Sequence, residues 1–223
     1  MIYIFSNDGY GDSFLKEAIG YFRGDPKRLQ VIFSGKHRTN GNLMRRTIKE
    51  IRRYLENARR ELEFHRRHGV RMSIVNNVNG KGFAAKISRG DIGIIAGFNQ
   101  IFSESTISRF GSLVNFHPSL LPLYRGPVPS YWCLRHGETH SGFTLHTVTS
   151  RIDDGEILFQ DVVEIDKMDT PELLNQRIAD KARPVFGQYL ASRIGGHNFI
   201  QRQVDPFKIY KTHHSYLSFP STQ

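Results

Sequence analysis

One cysteine, Cys133, stands in 223 residues, so no disulfide can form within the chain. The fold must hold by packing alone. A hydrophobic content of 39%, with 12% aromatic residues, is enough for one substantial core at this length. No stretch approaches the roughly 20 consecutive apolar residues that cross a bilayer. No basic-then-apolar leader precedes the first apolar run, residues 2–5, so a cytoplasmic location is expected. Metal-ligand patterns are missing too: His213 and His214 have no carboxylate or cysteine at ligand spacing, read as surface residues, and no metal is expected. Acidic residues are in deficit, 21 against 31 Lys and Arg, for a net charge of +10. That excess is local, because between Lys36 and Arg71 twelve Lys or Arg face four Glu.

Within this basic segment Met44, Ile48, Ile51, Leu55, Ala58 and Leu62 recur at spacings of four and three, one apolar seam along a helix. The seam predicts a long amphipathic helix docked on the body, with contact to a polyanion as the second reading. Elsewhere, residues 2–5, 29–34, 70–75 and 92–96 are short apolar runs with the length of buried strands. Helices are expected over 13–23 and 80–88, and Gly69 is placed to stop the basic helix. Apolar strands alternating with helices predict a doubly wound α/β unit over about the first 110 residues, a mostly parallel sheet with helices on both faces. Ligands in such sheets bind beyond the carboxyl ends of the strands. Two more strands are expected over 141–148 and 157–165. From Thr170 a helix with Pro171 at its first position runs to about residue 193 and ends at Gly195-Gly196.

The strand of residues 113–117 ends in polar residues. Alternation along it puts Asn115 and His117 on one side, and Pro118 stops regular pairing at once. Asp153 lies in the turn of residues 150–155, free to reach a neighbouring site. These three side chains suit attack of an amine on a formyl or acyl carbonyl. The amide supplies a neutral donor for the oxyanion, the imidazole accepts and returns a proton near neutrality, and the carboxylate orients or charge-stabilises the imidazole. Ser119 lacks the G-x-S-x-G elbow of a nucleophilic serine. Taken alone, an Asn-x-His at a strand end also fits a structural pair.

The run Asn115-Phe116-His117-Pro118-Ser119-Leu120-Leu121-Pro122, then Tyr124-Arg125-Gly126, Gly137-Glu138-Thr139, Gly142 and Ile152-Asp153-Asp154-Gly155, resembles the folate-dependent formyltransferases. That family includes glycinamide ribonucleotide formyltransferase, methionyl-tRNA formyltransferase and the enzymes that formylate nucleotide-linked amino sugars. The resemblance is strong over residues 92–165 and extends to layout before them. It implies a catalytic set of Asn115, His117 and Asp153, with Asp153 preferred over Asp154 because it directly follows the apolar Ile152. It also implies 10-formyltetrahydrofolate as co-substrate, its pterin lying against Gly97, Phe98, Gln100, Ile101 and Phe102 and against Ser150 and Ile152.

By the same resemblance the loop Ser6, Asn7, Gly9 and Tyr10 stands where relatives hold a phosphate of the amine substrate. On its own, a glycine-containing loop after a strand is as well read as a turn. The stretches around Tyr124 and Gly142 resemble the amino-sugar enzymes more than the purine-pathway enzyme, so the expected substrate is a nucleotide-linked amino sugar. Arg125 either offsets its phosphate charge or forms a surface ion pair. Tyr131 and Trp132 are expected in the core rather than as a base-stacking platform. The expected division is a catalytic domain over 1–196 and an extension over 197–223 that completes the fold or forms a homodimer contact. Three other readings stay open: formylation of glycinamide ribonucleotide, methionyl-tRNA or another small amine; hydrolysis of the folate donor with release of formate; and a nucleic-acid-binding module built on the basic helix, which predicts salt-sensitive binding.

Overall fold

The structure is a computed structural model that describes residues 1–7, 11–35, 43–196 and 198–212, at 11–12 and 43–54 for the backbone alone. Gly9, Tyr10, His213, His214, the start of the basic segment and the end of the C-terminal extension lie outside the described residues.

Seven strands form one sheet in the order β3-β2-β1-β4-β5-β6-β7. The first five are parallel: β1 (Ile2–Ser6), β2 (Leu29–Ser34), β3 (Arg71–Val75), β4 (Ile92–Ala96) and β5 (Ser112–His117). Strands β6 (His140–Thr147) and β7 (Ile157–Glu164) are antiparallel additions to the β5 edge. The predicted doubly wound, mostly parallel α/β fold is therefore present. Strand order reverses between β1 and β4, so the binding crevice expected of such sheets lies at their carboxyl ends.

Alternation along the strands builds the two layers. Ile2 and Ile4 of β1 face one cluster with Val31, Ile94, Val114 and Phe116, while Tyr3 and Phe5 face a second with Ile32, Ile95 and Leu113. Helices α1 (Gly11–Tyr21), α2 (Leu43–His68) and α6 (Pro171–Gly195) cover the first face. Short α3 (Lys81–Ala84) and α4 (Glu104–Ile107) cover the second through Phe83 and Ile107. Helix α6 begins as its sequence predicts: the Thr170 hydroxyl accepts from the Leu173 amide and Pro171 follows. It ends at Gly196, whose φ of 68° is costly for any residue with a Cβ.

The docking of α2 differs from expectation. Among its described side chains, Leu55 and Leu62 are 62% and 55% exposed and Ala58 is also exposed. The described part of the seam, Leu55, Ala58 and Leu62, therefore faces solvent. What holds the helix is a neighbouring stripe: Phe64 packs against the first cluster and meets Phe33 edge-on, and the Glu61 carboxylate accepts from the edge-strand amide of Ile74. Satisfying a strand amide that β3 has no further strand to satisfy decides the rotation of α2 over its remaining apolar area.

The extension packs on the sheet. The Gln160 amide of β7 donates to the Arg202 carbonyl and the Arg202 amide donates to the Leu158 carbonyl, and Tyr210 beyond α7 (Pro206–Ile209) is buried against Leu120, Tyr124 and Cys133. Among the described residues no helix is long and apolar enough to cross a membrane.

Candidate active site

At the carboxyl end of β5 the register does what alternation along one strand cannot: it brings in β6. Asn115 pairs with His146 and His117 with Thr144, so four polar side chains point to one side of the sheet. Residues 148–156 then fold back over them. The loop returns so closely that a Cβ on Gly155 would lie 1.6 Å from the Thr147 carbonyl oxygen, which only glycine permits. Asp153 is carried into the cluster with φ 48°, in the left-handed region that Asp tolerates better than most residues.

Asp153 is the hub. Its Oδ2 accepts from the Gly126 amide at 2.8 Å and stands 3.4 Å from His117 Nδ1. Its Oδ1 accepts from Asn115 Nδ2 at 3.2 Å and lies 3.6 Å from His146 Nε2. Burial alone would raise its pKa, but the charge that His117 and His146 carry when protonated, with the bond from the Gly126 N–H, holds the carboxyl well below the usual carboxylate range. It is an anion throughout the neutral range.

The His117 ring is buried, and its protonation follows from its neighbours. Nε2 lies 2.9 Å from the Tyr124 carbonyl, which can only accept, so Nε2 carries the hydrogen. The Nδ1 lone pair is then directed at the Asp153 side. Burial lowers the pKa of the ring below 6.5, against the raising effects of Asp153 and the Tyr124 carbonyl. The resting state is a neutral imidazole beside a carboxylate, with the lone pair available where a proton acceptor is needed. His146 is set the other way round: Nδ1 lies 2.8 Å from Thr147 O and takes the hydrogen, leaving Nε2 to accept from Asn115 Nδ2 at 3.1 Å. Both amide hydrogens of Asn115 are thus spent on Asp153 and His146, and donation to a developing oxyanion requires exchanging one of them.

The loop of residues 118–128 holds the Tyr124 carbonyl in place at a conformational cost. Tyr124 and Val128 have φ values of 57° and 50°, unusual for residues with a side chain and worth on the order of 1–3 kcal/mol each. The Ser119 hydroxyl donates to the carbonyls of Leu123 and Tyr124, and the Tyr124 hydroxyl donates to Glu138 at 2.7 Å. Glu138 is in turn held by the amides of Lys211 and Thr212 from the extension. The chain from extension to Glu138 to Tyr124 to His117 was not visible in sequence, because its contacts span from seven to 74 residues.

The acidic pair in the turn separates cleanly. Asp154 is ion-paired with Arg125 at 2.5 Å and Arg151 at 2.6 Å, whereas the contacts to Asn115, His117 and His146 are those of Asp153. Arg125 is therefore in an ion pair. Of the other residues singled out, Asn7 follows β1 and its Oδ1 accepts from the Ser34 amide, whereas Ser6 is buried with its hydroxyl on the Asn7 carbonyl. In the segment after β4, Gly97 and Ile101 are exposed and Phe98 is half-buried. Phe102 is in the second cluster, and the Gln100 amide is spent on Val78, Ser34 and Val75. Ser150 is exposed and Ile152 half-buried in the loop that carries Asp153. Phe98 and Val148 pack on the same cluster, so both segments border one side of the sheet. Trp132 of α5 (Pro129–Arg135) packs on the third cluster, but Tyr131 is 44% exposed, contrary to expectation, because α5 turns it outward. Among the described residues no group of three or more His, Cys, Asp or Glu side chains is arranged to hold a metal ion.

A profile of the family described as Formyl transferase matches residues 79–190, half of the chain, and spans every residue of this cluster. The chain belongs to the formyl transferase family. It is 37% identical over 120 residues to the trifunctional purine biosynthetic protein adenosine-3 of Drosophila melanogaster, covering 53% of this chain and 9% of that protein. A methionyl-tRNA formyltransferase of Thermotoga maritima is 33% identical over 104 residues, covering 46% of this chain and 33% of that one. The formyl transferase chain thus spans well under two thirds of these relatives' length. Among solved structures, its fold is similar to that of glycinamide ribonucleotide transformylase 1 from Symbiobacterium toebii, with TM-score 0.63, 22% identity and coverage of 92% and 93% of the two chains.

Proposed function

We propose that this chain transfers a formyl group from 10-formyltetrahydrofolate to the primary amine of a nucleotide-linked amino sugar. The observation that carries the reaction is the convergence of Asn115, His117 and Asp153 with the His117 tautomer set by the Tyr124 carbonyl. The sugar is supported by the N-formyltransferase from Helicobacter canadensis, a structure in complex with folinic acid and dTDP-3-aminofucose that shares this fold at TM-score 0.63 and 19% identity, covering 92% of this chain and 68% of that one.

The formyl donor supplies an activated one-carbon group, and everything else falls to the chain. His117 Nδ1 takes the proton from the attacking amine, the resulting imidazolium has an acceptor on both sides, the Tyr124 carbonyl and Asp153 Oδ2, and the proton passes to the folate nitrogen as the tetrahedral adduct collapses and its formyl C–N bond breaks. Asn115 turns one amide hydrogen from His146 or Asp153 to the oxyanion. Asp153 stays ionised, offsetting the new positive charge in a buried site where it is otherwise expensive. The segment with exposed Gly97 and Ile101 borders the same cluster as Val148, at the start of the loop that carries Asp153, and offers an apolar shelf that fits a pterin; Gln100 and Phe102 anchor that segment to the sheet.

The reading is tested by incubating the protein with 10-formyltetrahydrofolate and a panel of nucleotide-linked amino sugars together with glycinamide ribonucleotide, and weighing the products by mass spectrometry. A formylated sugar is the expected product. Formylation of glycinamide ribonucleotide alone refutes the sugar, and formate release without any amine refutes transfer.

The pH profile is fixed by His117. Because its folded pKa is lowered from 6.5, the neutral ring persists through neutrality, and kcat/KM is expected to stay flat there. It then falls about tenfold per pH unit on an acid limb centred below 6.5. A limb centred above that value contradicts a buried acceptor. Stability moves in the same direction: the unfolded chain takes up the proton first, so stability contributed by the neutral ring is lost as pH falls below 6.5, and that of Asp153 as pH falls below 3.8.

A further inference from the structure

The carboxyl ends of four strands stop at one level. Ser6 is in register with Phe33 and Ala96, and Ala96 with Phe116, so Ser34, Asn7, Gly97 and His117 form the next row across β2, β1, β4 and β5. Beyond the β2 end of this row, under α2, lies a cavity of about 690 Å³ lined by Asn7 and Ser34 on the sheet side. That volume is in the range of small-molecule sites. Three strand spacings separate it from His117, about 14 Å. A ligand reaching both is longer than a sugar ring and matches a sugar joined to a nucleoside through a diphosphate.

The α2 wall has the chemistry for the distal part. Arg60, Phe64 and Arg67, at spacings of four and three, form one stripe facing the cavity, with Phe33 opposite Phe64 at 6.5 Å between ring centroids. Two acids also line it, Glu56 and Glu63. Glu63 is neutralised by Arg59 at 2.8 Å, and Glu56 has a partner of its own. Among the described residues Arg60 and Arg67 make no ion pair or hydrogen bond, though the rotation that exposes Leu55 and Leu62 turns them toward the body. Two uncommitted guanidiniums on either side of an aromatic ring suit a planar base stacked on the ring and phosphate oxygens bonded by the forks.

We propose that this cavity seats the nucleoside diphosphate end of the amine substrate, with Phe64 under the base and Arg60 and Arg67 on the diphosphate. The proposal rests on the nucleotide-linked reading above, and its test does not depend on turnover. Calorimetric titration of the purified protein with UDP, dTDP, GDP, CDP and ADP, without folate, is expected to show saturable binding of at least one. In R60A/R67A that affinity falls about tenfold or more for each guanidinium lost, with thermal melting unchanged because both side chains are exposed. Phe64→Leu weakens the nucleotide but not inorganic pyrophosphate. No binding of any of the five, or binding undiminished in R60A/R67A, overturns the proposal. So does displacement of the nucleotide by pentaglutamyl but not monoglutamyl 5-formyltetrahydrofolate, which assigns the cavity to the donor's tail. Product formation with an unchanged KM in R60A/R67A refutes the cavity alone. Nucleotide binding lost in R60A/R67A, with no formylated sugar formed by the native protein, supports the cavity and refutes the sugar reaction.

Discussion

His117→Ala is expected to lower formyl transfer by about a thousandfold or more, the contribution of a positioned general base together with the charge it retains. The loss should lie in kcat, measured in single turnovers at saturating substrates, because the ring is buried and offers little surface for binding. Folding should survive. The Tyr124 carbonyl loses the His117 donor but keeps the Ser119 hydroxyl at 3.2 Å, so no buried acceptor is orphaned. The expected cost is about 1–3 kcal/mol, within the 5–15 kcal/mol of an ordinary domain. A folded variant within tenfold of native turnover removes His117 from proton transfer and leaves the Asp153 carboxylate as the base.

Much of this arrangement was legible in the sequence. The parallel half of the sheet was readable because buried strands carry unbroken apolar runs, and α6 because Thr170, Pro171 and Gly196 mark its ends locally. Asn115 and His117 were readable because alternation is a property of one strand. His146 was not singled out, although it stands in a strand whose residues 141–148 were recognised. Its place beside Asn115 depends on the β5–β6 register, and register is a property of the pairing rather than of one strand. The rotation of α2 failed for a related reason. The seam of Leu55 and Leu62 is visible in one chain segment, but the demand of the Ile74 amide for an acceptor comes from a different element. Local pattern fixed that α2 is a helix; a nonlocal polar group fixed which side faces in.

The adjacent carboxylates give the sharpest contrast within one loop. Asp153→Asn is expected to reduce kcat by about a thousandfold or more, and Asp154→Asn by less than about tenfold. Asp153 accepts from Gly126 and Asn115 and faces two imidazoles, all around one anion. An amide of the same shape has one accepting oxygen, so its NH2 group must meet a donor, and the imidazolium formed during transfer loses its only buried counter-charge among the groups that touch it. Asp154 is instead held by two guanidiniums at the rim, where an amide oxygen still accepts from one and the lost attraction is about 1 kcal/mol or less. The two variants also differ in pH behaviour. Asp153 raises the pKa of His117 against its burial, so in Asp153→Asn the acid limb of the residual activity should move to lower pH. In Asp154→Asn it should stay where it is in the native protein. A severe loss in Asp154→Asn with a mild one in Asp153→Asn reverses the assignment, and an unmoved limb in Asp153→Asn shows that the carboxylate acts on the substrate rather than through His117.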